Sequence, residues 1–149
     1  MPNKFTQAII GGIVATITFT LVTIIAPVMG MPKMSPPAML SMMMGVPIAV
    51  GWLMHFMIGI IFALVYAFFF IKVVKKINSN ILKGVIFGFA VFIFAQIAMA
   101  ILGAMMGGMP PMEGNMMLIM IGSAIGHIVY GIVVVMFVKE QVVPEKTFA

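Results

Sequence analysis

The chain has 149 residues, 64 % of them hydrophobic and 7 % charged, with a mean hydropathy of +1.28. Soluble domains hold about 45–50 % apolar and about 25 % charged residues, so the composition excludes a soluble globular fold and marks an integral membrane protein. Its formal charge of +5 comes from lysine alone; because the lysines cluster between apolar runs, they report orientation in a bilayer rather than a nucleic-acid partner.

Four runs reach the roughly 20 apolar residues that a membrane-crossing helix needs, at about 8–28, 47–71, 81–106 and 116–138. They predict an all-α fold, a four-helix bundle in a single membrane domain spanning residues 1–149. The first run follows Lys4 but is longer than a secretory h-region, and no small-x-small cleavage site follows it; it reads as a retained span. Gly12, Thr16, Thr20 and Thr23 share one of its faces, which suits close helix packing, each hydroxyl bonding back to its own helix.

A methionine-rich loop follows, with seven of the 19 methionines between Met29 and Met44. Ser35 before Pro36 and Pro37 is a helix start signal, so Ala38 to Met44 is expected to form a short amphipathic turn on the membrane surface. The second run places Gly51, His55, Gly59, Phe62 and Tyr66 on one side, with Trp52 as an interfacial anchor. The third carries Gly84, Gly88, Phe92 and Gln96 at i+4 spacing, which turns the Gln96 amide inward. A second loop holds Met109, Met112 and Met116 among seven methionines between Met105 and Met120. The fourth run turns Ser123, His127, Tyr130 and Gly131 inward.

Lys4, the cluster Lys72, Lys75, Lys76 and Lys83, and Lys139 with Lys146 fall on one side of the membrane; Lys33 and Glu113 fall on the other. By the positive-inside rule both termini and the loop between the second and third spans are cytoplasmic, as for a bacterial inner membrane protein.

The only histidines, His55 and His127, lie inside spans, where an ionisable group is a functional-site hypothesis by default. Both head an H-x-x-x-G-I segment, and they are 72 residues apart. The same offset carries Gly12 onto Gly84, Gly59 onto Gly131, Ala26 onto Ala98 and Met34 onto Met106. This pattern suggests a duplicated helical hairpin, two parallel repeats about an axis along the membrane normal. At ~1.5 Å per residue, His55 and His127 lie about 12 and 16 Å below the outer ends of their helices, so they are expected to face inward and form one site.

Gly30-Met31-Pro32-Lys33-Met34, the segment from Gly51-Trp52 through His55-Phe56 to Gly59 with Phe62, Ala63 and Tyr66, and Gly126-His127-Ile128-Val129-Tyr130-Gly131 resemble a family of small bacterial four-span membrane proteins. The most specific part is W-x-x-H-F-x-I-G in the second span. The resemblance implies a compact four-helix protein and no established activity.

Cysteine is absent, so thiolate chemistry is excluded and any soft-metal site must use Met or His. The preferred functional reading is Cu(I) binding or handling: the thioethers of Met31, Met34, Met42, Met43, Met109, Met112 and Met116 collect the ion and pass it to His55 and His127. A second reading is b-type haem with the two histidines as axial ligands, where Gly59 and Gly131 leave room for a porphyrin. A third is a structural or accessory subunit, in which the imidazoles bond to each other, Ser123, a threonine of the first span such as Thr20, or a carbonyl. A fourth is a proton-linked transporter, with a homo-oligomer supplying the path. Gln96, Thr20, Ser123 and Tyr130 are the supporting polar residues. With no acid inside a span and no nucleotide-binding fingerprint, nothing favours an enzyme.

Overall fold

The computed structural model describes residues 3–108 and 114–139, which form five helices and, among the described residues, no strand. Helix α1 (Lys4–Ile25) starts at Asn3, whose side chain accepts from the Thr6 amide at 2.8 Å, and ends in a 3-10 turn (Ala26–Met29). Gly30, at φ 83°, then reverses the chain, a conformation that glycine adopts without strain. Helix α2 (Pro36–Met44) forms where the Ser-Pro-Pro signal places it: the Ser35 hydroxyl accepts from the Ala38 amide at 3.4 Å. Gly45 ends it at φ 62°.

Helix α3 (Ile48–Val65) runs on through one wide π turn (Tyr66–Phe70) and a last short stretch (Ile71–Val73). Ser79 caps α4 (Asn80–Met105) and Asn115 caps α5 (Met116–Phe137), in each case by accepting amides of the first turn. Four stretches, Lys4–Met29, Ile48–Val73, Asn80–Met105 and Met116–Phe137, are long and apolar enough to cross a membrane. Their outward faces carry Ile17, Leu21, Ile61, Phe69, Ile97 and Ile101, all exposed, as lipid-facing surface must be. The protein is an integral membrane protein.

Lipid removes most of the hydrophobic drive between helices, so contact depends on small residues that let backbones approach. Glycine supplies them at both hairpin interfaces. A Cβ on Gly12 would meet the Ile60 Cα at 2.8 Å, and one on Gly59 would overlap the Thr16 hydroxyl; these contacts press α1 on α3. A Cβ on Gly84 or on Gly131 would strike the backbone of Ile132 or of Gly84 and Gly88, so α4 and α5 lie closer still. The offset of 72 maps one interface onto the other: Gly12 with Ile60 becomes Gly84 with Ile132, and Gly59 against Gly12 and Thr16 becomes Gly131 against Gly84 and Gly88. The two hairpin interfaces thus share one pattern of glycine contacts.

Between the hairpins the equivalence breaks. Helix α1 packs closely on α5, where Gly11 receives Phe137 and Gly126 receives the ring of Phe19. In the other seam, between α4 and α3, the positions equivalent to Gly11 and Gly126 are Lys83 and Met54. Large side chains replace the glycines, and α3 and α4 meet through aromatic rings instead, with Phe70 and Tyr66 on Phe87 at 5.1 and 4.9 Å and Phe62 on Phe94 at 5.3 Å. The core packs tightly around Tyr66, Ala67, Phe87 and Val134, and a hollow among all four long helices opens at the end that α2 covers. There α2 rests on α3, with the Pro37 carbonyl over Gly51.

Candidate functional site

The hollow is a cavity of about 200 Å³ walled by all four long helices and by Met34, Pro36, Met39 and Leu40 from α2 and the segment before it. Both histidines line it. Repeat symmetry sets their depth, each standing one turn from the glycine, Gly59 or Gly131, that anchors its hairpin. Phe19 reaches in from α1, edge-on to both imidazoles. The ring-centroid distances are 5.7 Å to His55 and 4.9 Å to His127, so the imidazole centres are at most about 11 Å apart, the sum of the two. Among the described residues the histidines do not bond to each other.

Each imidazole has a separate partner, and for His127 the partner fixes the tautomer. The Thr20 hydroxyl donates its only proton to the Thr16 carbonyl at 2.9 Å while lying 3.3 Å from His55 Nε2. With that proton on the carbonyl, His55 donates from Nε2 and its Nδ1 keeps a lone pair. His127 Nδ1 lies 2.7 Å from the Ser123 carbonyl, which can only accept, so the proton is on Nδ1 and the lone pair on Nε2. Phe92 packs against the His127 ring at 5.8 Å, at the position where the repeat places Thr20 beside His55.

The hydroxyl protons around the cavity are nearly all committed. Thr16 donates to the Gly12 carbonyl at 2.7 Å, Thr23 to the Thr20 carbonyl at 2.8 Å, and the buried Tyr130 to the Gly59 carbonyl at 2.5 Å, which ties α5 to α3. Left for a guest are the two imidazole lone pairs, the Ser123 hydroxyl, which makes only a 3.5 Å approach to His127, and the half-buried Gln96 amide. The rest of the wall is apolar, including Phe62, Val91, Ile119 and the thioethers of Met34, Met39, Met99 and Met120.

The methionines of the outer loops do not act as one set. Met34 lines the cavity, and Met31 joins it over Gly122, where a Cβ would meet their methyl groups at 3.9 and 2.7 Å for Met31 and Met34 respectively. Met43 is buried under α2, whereas Met42 and Met116 face outward, 60 % and 55 % exposed. Met109 and Met112 lie outside the described residues. Met39, Met99 and Met120 reach the cavity from positions that spacing alone did not single out. Phe19 was also missed, and the repeat gives no signal for it, because its equivalent position is Val91.

The ring of Phe19 lies between the two histidines. Gly59 and Gly131, expected to make space for a macrocycle, are packed against α1 and α4 respectively.

Residues 2–142 match DUF6789, a family of unknown function. The chain belongs to that family. The DUF6789 match takes in all four long helices and the whole cavity. No curated protein and no solved structure matches the chain.

Proposed function

We propose that the protein is an intramembrane binding protein whose cavity takes a small lipid-soluble molecule carrying hydroxyl or NH donors, of the phenol or quinol class. It sits in a bacterial inner membrane with its lysine-bearing end in the cytoplasm. The observation that carries this reading is the pair of histidines lining a largely apolar chamber, with a lone pair on His127 Nε2 and, while Thr20 bonds to its own helix, one on His55 Nδ1. A ligand site of this kind is mostly apolar with a few placed polar groups. The two imidazole lone pairs accept protons, so a guest that bonds to them donates. An apolar cavity of about 150 Å³ suffices for benzene, so about 200 Å³ admits one substituted aromatic ring. The loose seam between α3 and α4 supplies an entry route from lipid.

Cu(I) is the second reading, favoured by the four thioethers that share the cavity with the imidazoles. Sulfur and imidazole together select a soft ion, and a His whose other nitrogen donates to a carbonyl, as His127 does, is oriented as metal-ligating histidines are. Phe19 must turn aside before one ion bridges both rings.

One set of variants separates the readings. Purified protein is dialysed in detergent against 4-propylphenol, and separately loaded with Cu(I) without oxygen and assayed by elemental analysis. Loss of one accepted hydrogen bond, about 0.5–1.5 kcal/mol, weakens phenol binding about 2- to 12-fold in His55→Leu or His127→Leu. Replacing Met34, Met39, Met99 and Met120 together by Leu leaves phenol binding in place and removes Cu(I). Phenol binding unmoved by either histidine change refutes the first reading; copper retained without the thioethers refutes the second.

A further inference from the structure

At the opposite end of the bundle a second pocket, of about 240 Å³, is bounded by Tyr66, Asn80, Lys83, Val135, Val138 and Lys139. Lys83 is only 9 % exposed, deep for a lysine. It makes no hydrogen bond or ion pair with any described residue. Desolvating an ammonium without a counter-charge is costly, and the described residues offer no carboxylate: the three acids of the chain, Glu113, Glu140 and Glu145, all lie outside them. At the equivalent position of the other hairpin stands Gly11, against which the side chain of Phe137 packs, so the buried charge is particular to this seam.

We propose that this pocket is an anion site that holds the phosphate of an anionic phospholipid headgroup, with Lys83 as the buried counter-charge and Lys139 and Asn80 at the rim. Three observations converge on phosphate. Lys83 and Lys139 supply two ammonium groups, and Asn80 adds an amide donor beside them. The first turn of the 26-residue α4 adds amides and the positive end of a helix dipole. The site also lies at the helix ends, where headgroups lie, with Lys72, Lys75 and Lys76 exposed nearby in sequence to raise the local potential. The inference is independent of what the cavity binds.

The test is thermal unfolding of the full chain in neutral detergent, with added phosphatidylglycerol, phosphatidylcholine or inorganic phosphate. Phosphatidylglycerol should raise the wild-type midpoint by about 5 °C over phosphatidylcholine. The increment should vanish in Lys83→Met, which keeps the side-chain volume without the charge, and persist in Lys83→Arg. An equal rise with inorganic phosphate alone keeps the anion site and makes free phosphate its source. Retention of the full increment in Lys83→Met overturns the proposal. So does an increment absent from the wild type that emerges only in Glu140→Gln, because the chain's own carboxylate would then fill the pocket. If Lys83→Met does not fold, native mass spectrometry of the wild type decides: selective retention of phosphatidylglycerol supports the site, and equal retention of phosphatidylcholine overturns it.

Discussion

Replacing Gly59 by Ala tests whether the repeat interfaces have been understood atom by atom. The new Cβ would overlap the Thr16 hydroxyl, while the next nearest atoms, the Thr16 Cβ and the Gly12 carbonyl, stand at 3.2 and 3.5 Å. The main conflict is therefore with one oxygen, and the 3.2 Å contact needs only a shift of a few tenths of an ångström. Overpacking of this kind costs about 1–3 kcal/mol, and α1 must retreat from α3 to relieve it. Thr16→Ala removes that oxygen and loses only a back-bond to its own helix, the 2.7 Å contact to the Gly12 carbonyl, worth about 1 kcal/mol or less. The double variant should thus be more stable than Gly59→Ala alone, with a favourable coupling of about 1–2 kcal/mol. Gly131→Ala has no such remedy, because its new Cβ meets only backbone, that of Gly84 and Gly88; it should destabilise more than Gly59→Ala. Unfolding of the four variants in mixed micelles gives all these differences. A double variant no better than the sum of its singles would refute the argument.

Tyr130→Phe removes the bond from α5 to the Gly59 carbonyl and should cost about 0.6–1.7 kcal/mol, the range for interhelical bonds in a membrane, measured by the same unfolding. Phe19→Ala deletes the ring between the imidazoles and should cost about 3–5 kcal/mol; if the cavity is a ligand site, dialysis should then show tighter binding of phenols bulkier than 4-propylphenol. In this cysteine-free chain, a single cysteine at Ser35 should react with an impermeant reagent applied to intact cells, and one at Asn78 only after the membrane is opened. The reverse result would invert the proposed orientation.

The spans were legible because hydrocarbon demands long apolar runs, and α2 was legible because Ser35, Pro36 and Pro37 are a local signal that needs no tertiary context. The repeat was visible from the rare histidines and the glycines that follow them. Which seam between hairpins would close was not visible: it depends on Gly11 and Gly126 against Lys83 and Met54, and their importance emerges only once the repeat is folded. The cavity wall was likewise hidden. Met39, Met99 and Met120 differ from Met42 and Met116 only in which way a helix turns, and the committed hydroxyls could be counted only after each proton had been assigned to a carbonyl.

The order of close packing, α3 on α1, α1 on α5 and α5 on α4, makes the bundle an open chain of helices rather than a ring. Mechanically it resembles a clasp. A ring of four must break a packed interface to widen anywhere, whereas this arrangement can flex at its free ends while both glycine-lined hairpin interfaces stay intact. Compliance should therefore concentrate where α3 faces α4, and above all at the end that α2 covers, where the aromatic contacts give way to the cavity. A guest could then exchange with the bilayer through fluctuations of one seam, with no partial unfolding of either hairpin.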